Sequence, residues 1–197
     1  MTSLATGINM KPAVAPAPLQ TFVAEPAARA SSTHLPNQTS LARQILHNLQ
    51  YQHYWTDLEV HTQSPVTNAP LPRPLVSGLP PQRLYVHPDE QVELLKKADR
   101  ERKARAAGEA GGLDVKAEPE REWILPTRLN EKWTLRRLAA VFDGISMVPT
   151  TAEPSGTDQG TSNPFRTTKR VLLGTVDTDS TIVYYIVHDG VVKPRQN

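Results

Sequence analysis

Large apolar residues are unevenly spread along this chain, and their spacing changes from segment to segment. Leu41, Ile45, Leu46, Leu49 and His53 recur three to four apart, and Tyr51, Tyr54 and Trp55 thicken the stripe. That period predicts an amphipathic helix of about four turns, N-capped at Thr39 or Ser40 and ending before Val60. Residues 62–74 carry four prolines and read as an extended connector. Leu75–Gly78 and Arg83–Val86 are short strand patterns separated by Pro80-Pro81, which predicts a hairpin-like or edge arrangement. Pro88, with Asp89 and Glu90 in the first turn, opens a second helix. Its apolar side, Val92, Leu94, Leu95 and Ala98, is narrow, and its second half is charged nearly all round, so it is predicted to run into solvent and dissolve over 108–120. Trp123–Pro126 predicts a strand. Asn130 or Thr134 then caps a helix with Leu135, Leu138, Ala139 and Phe142 on one face and Gly144 as its stop. Residues 150–166 read as a flexible loop. Val171–Val176 and Thr181–Val187 are the strongest strand patterns, joined by Asp177–Ser180 and followed by the turn His188-Asp189-Gly190 and a stub, Val191-Val192. Apolar residues at successive positions predict that both faces of these strands are covered. The order of elements predicts an α+β or mixed α/β fold.

Composition changes this picture at one end. Of 197 residues 18 are proline and only 38% are hydrophobic, against roughly 5% and 45–50% in ordinary domains. Residues 1–39 are Pro/Ala-rich with few large apolar side chains; such a stretch cannot bury enough surface to offset chain entropy and is predicted to be a disordered tail. The absence of cysteine excludes disulfides, thiolate catalysis and Cys-ligated zinc. A net charge of +2 excludes a polycationic tail protein. No apolar run approaches the length of a membrane span. The first residues lack the basic-then-apolar order of a secretory signal, so the sequon Asn37-Gln38-Thr39 is read as chance.

Searching for chemistry yields little. Neither a phosphate-binding loop nor a dinucleotide fingerprint is present, and the six histidines (34, 47, 53, 61, 87, 188) lack zinc-ligand spacing. Asp177 and Asp179 have three readings: a carboxylate pair for acid/base work or Mg²⁺, a polar turn between strands, or an acidic knob offered to a partner. The cations from Lys96 to Arg105 are diluted by acids and read as a solvated face. Arg128, Lys132, Arg136 and Arg137 are less diluted and suit phosphate contact, as do Lys169 and Arg170. Tyr184 and Tyr185 point to opposite faces of their strand, one into the core and the other onto a helix, another subunit or a nucleobase.

The run Val176-Asp177-Thr178-Asp179-Ser180-Thr181-Ile182-Val183-Tyr184-Tyr185, followed by His188-Asp189-Gly190, resembles the C-terminal signature of the small Sen-type subunit, the one numbered fifteen, of the eukaryotic tRNA-splicing endonuclease. That family shows an acidic-Ser-Asp-Ser-Thr-Ile-Val-Tyr-Tyr run and then Asp-Gly; Thr178 replaces the first serine here. Trp123–Thr127 leading into Leu135–Phe142, and Asn48–Tyr51 with Trp55, fit upstream elements, so the resemblance covers roughly residues 40–195. It implies a small tRNA-endonuclease-type C-terminal domain over 40–197, related to restriction-endonuclease folds. The charged helix and linker about 96–121 and the loop 150–166 would be insertions.

The resemblance further implies a structural subunit in a heterotetramer of two catalytic and two structural chains. It would pair directly with the catalytic subunit that cuts the 3′ splice site and help position pre-tRNA, in the nucleus or else in the cytoplasm or on an organelle surface. The family's catalytic subunits cleave with a Tyr/His/Lys triad. Lys169 stands near the lysine position, but residues 127–168 contain neither Tyr nor His. No catalytic residue, metal or cofactor is therefore expected. By position, Asp177, Thr178, Asp179 and Ser180 would form an acidic loop that enters a basic pocket of a catalytic subunit. Residues 181–192, with Ile182, Tyr184, Tyr185, Asp189 and Gly190, would be the pairing edge. Such charge complementarity selects partner and register. Two other readings remain: an RNA-binding module acting alone through Arg136, Arg137, Lys169 and Arg170, and a nuclease with an unrecognised site.

Overall fold

The computed structural model of the chain describes residues 15–24, 34–104, 115, 117–150 and 163–190. Among them, α1 spans Pro18–Ala24, α2 Pro36–Gln52, β1 Thr56–Gln63, β2 Pro70–Leu79, α3 Pro88–Ala104, β3 Glu122–Arg128, α4 Leu135–Asp143, β4 Arg170–Val176 and β5 Ile182–His188. The strands form one mixed sheet in the order β1-β2-β3-β4-β5. Only β3 and β4 are parallel; a parallel pair needs a crossover, and α4 lies in it. The predicted α+β class is the observed one.

Alternation along the strands divides the core in two. Val76, Ile124, Leu172 and Val176 face α2 and pack on Leu41, Ala42, Ile45 and Leu49. Leu75, Trp123, Leu125 and Val171 face the other way, onto Val141, Phe142 and Ile145. β3 and β4 are buried along almost their whole length, so their apolar residues run without a polar gap. Thr134 caps α4, its side chain accepting from the Arg137 amide. Gly144 ends α4 at φ −82°, so left-handed freedom is not what the position uses.

Several expectations are corrected. β1, with Leu58 and Val60 alternating against Glu59 and His61, occupies the end of the predicted first helix and the start of the predicted connector. It pairs antiparallel with β2, so the hairpin lies before Leu75–Gly78 rather than after it. Arg83–Val86 forms no strand. Prolines fit in β2 because Pro72 and Pro74 precede the three residues, Val76–Gly78, that pair with β3. The first long helix begins at Pro36, with Leu35 at the N-cap and no side-chain cap. The stretch predicted to be unstructured contains α1, which α2 holds: Ser40 Oγ donates to Val23 O at 3.3 Å, Arg43 donates to Phe22 O at 3.2 Å, and Phe22 meets His47. The far end of the predicted 150–166 loop is tied down: Asn163 donates to Glu90, and Arg166 is buried against Glu120 and Glu122. Residues 105–114, 151–162 and the Val191-Val192 stub lie outside the described residues.

Candidate functional site

The most informative surface is β5. Its backbone pairs with β4 over the full length, from Val176↔Ile182 to Arg170↔His188, and among the described residues the sheet ends there. An edge strand presents a row of unpaired amides and carbonyls that can template another chain. Contrary to the expected full double cover, the face opposite α2 is packed at Val187 and left open at Val183 and Tyr185. Tyr184 turns toward α2, where its hydroxyl donates to Asn48 Oδ1 at 2.7 Å and its ring meets His53 edge-on; burial raises its pKa well above the ordinary value. Tyr185 and Val183 point to the other face and are 54% and 43% exposed; Ile186, on the Tyr184 face, is 38% exposed. Ile182 is half-buried against the α2 side of the core. Val183 and Ile186 fall within the pairing edge expected from the resemblance, but hydrophobic patterning did not mark them as exposed, because edge position is a property of the sheet.

The acidic turn abuts this strand. The Asp177 amide donates to Thr181 O at 2.9 Å, and the Ser180 amide donates to Asp177 O at 3.2 Å. Asp177 accepts from the Thr178 amide at 2.6 Å, and Asp179 from the Thr181 amide at 2.8 Å. The Thr181 amide and hydroxyl hold the Asp179 carboxyl below the usual carboxylate range. Ser180 closes the turn at φ 70°, a left-handed conformation that small polar residues tolerate in turns. The loop therefore displays Thr178 and Asp179 outward, with the Asp179 carboxylate ionised and oriented. At the other end of β5, Asp189 and Gly190 are exposed, and the Asp189 amide donates to Lys169 O.

The basic residues separate into two groups. Lys169 and Arg170 are engaged inside the protein. Lys169 Nζ donates to Phe142 O at 2.7 Å, on the last turn of α4, where a cation complements the helix dipole. Arg170 is 5% exposed and sits in a buried cluster with Glu120 and Glu122, its guanidinium over the Tyr85 ring. Arg83 and Arg166 complete the cluster around Glu90, Glu120 and Glu122. Burial lowers the Arg166 pKa despite the glutamates, whereas at Arg170 Glu122 overcomes burial and raises it. Arg170 has no face left for a phosphate, a correction to its expected role. The sequence hid this because Glu120, Glu122 and Arg170 lie some fifty residues apart and meet only across β3 and β4.

Arg136 and Arg137 remain at the surface, on the first turn of α4. They line a cleft of about 230 Å³ together with Gln38, Pro72, Arg73 and Trp133. Arg137 lies 4.5 Å over the Trp133 ring and 2.7 Å from Glu131. Arg73, Glu131 and Trp133 were not singled out by sequence; nothing in a proline-rich connector marks a buried arginine. Among the described residues, no group of three His, Asp or Glu side chains is placed to hold a metal, and no helix is long and apolar enough to cross a membrane.

A family profile described as Sen15 protein matches residues 44–197. The chain is 43% identical over 163 residues to a probable tRNA-splicing endonuclease subunit, tsp-1, of Neurospora crassa, covering 80% of this chain and 66% of that one. It is 33% identical over 76 residues to the probable tRNA-splicing endonuclease subunit sen15 of Schizosaccharomyces pombe, covering 39% of this chain and 50% of the other. The chain thus spans about half to two thirds of the length of these relatives. On the match from residue 44 to the end, the chain belongs to the Sen15 protein family.

Proposed function

We propose that this chain is a non-catalytic structural subunit of a tRNA-splicing endonuclease. It pairs with the catalytic subunit that cuts the 3′ splice site, helps position pre-tRNA in a heterotetramer, and works in the nucleus. The observation that carries the reading is β5: an edge strand with exposed Val183 and Tyr185, set beside a rigid acidic turn. Such a surface fits strand-to-strand pairing, with side chains giving specificity and the acidic turn fixing register against a basic partner. Lys169 supports the non-catalytic half. Its ammonium is engaged by the α4 carbonyl end, and the stretch before it supplies neither Tyr nor His.

The test is co-expression with candidate endonuclease subunits. Asp177→Lys combined with Asp179→Lys is expected to leave the fold intact, since Asp179 is exposed, Asp177 is half-buried and both bond only within the turn, and to stop four-chain assembly. Assembly unchanged by the double reversal refutes the role of the turn. Cleavage of intron-containing pre-tRNA by the purified chain alone refutes the non-catalytic reading.

A further inference from the structure

The cleft at the start of α4 has three properties that packing alone does not require. Arg73 is 5% exposed at its side chain, and its Nη1 donates to both Glu131 oxygens at 2.9 and 3.0 Å. Its Nε nevertheless has no hydrogen-bond partner, an omission that ordinarily costs about 1–3 kcal/mol. Glu131 is shared further, taking Arg137 Nη2 at 2.7 Å and the Thr127 hydroxyl at 3.0 Å. Burial alone would raise its pKa, but Arg73 and Arg137 outweigh burial and keep it low. Two guanidiniums on one carboxylate leave a net positive charge. Beside them Arg136 lines the same cleft with no ion pair or hydrogen bond among the described residues; Arg128, at the end of β3, and Lys132, in the segment before α4, are exposed with side chains in no ion pair among the described residues.

We infer that this cleft is a phosphate subsite through which the subunit contacts RNA; the inference rests on the tRNA-splicing reading above. Arg136 is the free donor, and Glu131 with Trp133 positions Arg73 and Arg137 beside it. A planar guanidinium fork suits a phosphate diester better than a point charge does. Trp133 already carries Arg73 at 5.3 Å and Arg137 at 4.5 Å over its ring, and its Nε1 donates to Thr127. The ring therefore serves the guanidiniums, and the site takes an anion rather than a stacked base. Exposed Arg128 and Lys132, on the segment that leads into α4, add positive charge of the kind a polyanion requires and a single carboxylate does not. Arg73 belongs to β2, three strands from β5 in the sheet, or about 14 Å at the usual strand spacing. A partner seated on β5 thus leaves the cleft open.

The experiment measures binding of a fluorescently labelled pre-tRNA transcript to the full chain across salt concentrations, with wild type, Arg136→Ala and Arg136→Glu. Arg136 is exposed and unpaired, so neither change should alter the unfolding midpoint. Loss of one charge-assisted contact predicts about tenfold weaker binding for Arg136→Glu, a smaller loss for Arg136→Ala, and a salt slope reduced by about one. An affinity and slope untouched by either variant overturn the inference. So does absence of salt-dependent binding by the wild-type chain, or displacement of the RNA by polyglutamate at equal charge concentration, which would assign the cleft to an acidic protein. Subunit co-purification is scored in parallel. Pairing that fails while Arg136-dependent RNA binding persists overturns the structural-subunit reading and leaves the subsite standing.

Discussion

Glu122→Gln tests whether the buried charge cluster holds the sheet to the segments around it. The glutamate side chain is 4% exposed and accepts from Arg170 Nε at 3.0 Å and from Arg166 Nη2 at 3.2 Å, while Arg166 and Arg170 are 1% and 6% exposed at their side chains. Three arginines, 83, 166 and 170, face three glutamates, 90, 120 and 122. Glutamine keeps the shape and removes one negative charge, leaving the cluster one positive charge in excess where water cannot compensate. Removing one partner from a buried pair costs about 3–5 kcal/mol, a large share of the roughly 5–15 kcal/mol that stabilises a domain. Urea unfolding followed by tryptophan fluorescence reads this directly, because Trp55 and Trp123 are buried. With a slope of about 2 kcal/mol per molar, the midpoint should fall by about 2 M. Adding Arg170→Met restores the charge balance, so the double variant should lose less than the two singles summed. A loss below about 1 kcal/mol for Glu122→Gln, or strict additivity in the pair, refutes the reasoning.

Other outcomes follow from single contacts. Tyr185→Ala should leave the unfolding midpoint within about 0.5 kcal/mol of wild type, as exposed positions do, yet weaken pairing with a catalytic subunit by about 2 kcal/mol or more if the ring is an interface anchor; titration calorimetry reads the difference. Gly174→Ala places a methyl 2.9 Å from Ile45 Cδ1 and 3.2 Å from the Tyr184 ring. It should cost about 1–3 kcal/mol by overpacking, measured by thermal unfolding. His188 has its pKa lowered by burial and by Arg170, Arg166 and His87. The unfolded chain therefore binds the proton more readily than the folded one, and stability should fall as pH drops below about 6.5. His188→Gln should flatten that slope in unfolding curves taken between pH 7.5 and 5.5.

Much of the architecture was legible in the sequence because it rests on local patterning. The apolar period of α2, Pro88 at the head of α3, Thr134 capping α4, and the unbroken apolar runs of β4 and β5 each express a neighbour-scale rule. The terminal motif around Asp177–Tyr185 likewise pointed to the family that residues 44–197 match. What the sequence could not supply was decided by who meets whom across the sheet. The prolines of β2 read as a connector until β1 paired beside them; α1 is helical because α2 gives it Arg43 and His47 to rest on. β5 has the apolar content of a central strand and becomes an exposed edge only because the sheet ends there. Arg136, Lys169 and Arg170 look alike in a sequence. Tertiary structure leaves Arg136 at the surface, ties Lys169 to α4 and buries Arg170, because the free energy of a charge depends on its distance to other charges and to water, and folding sets both.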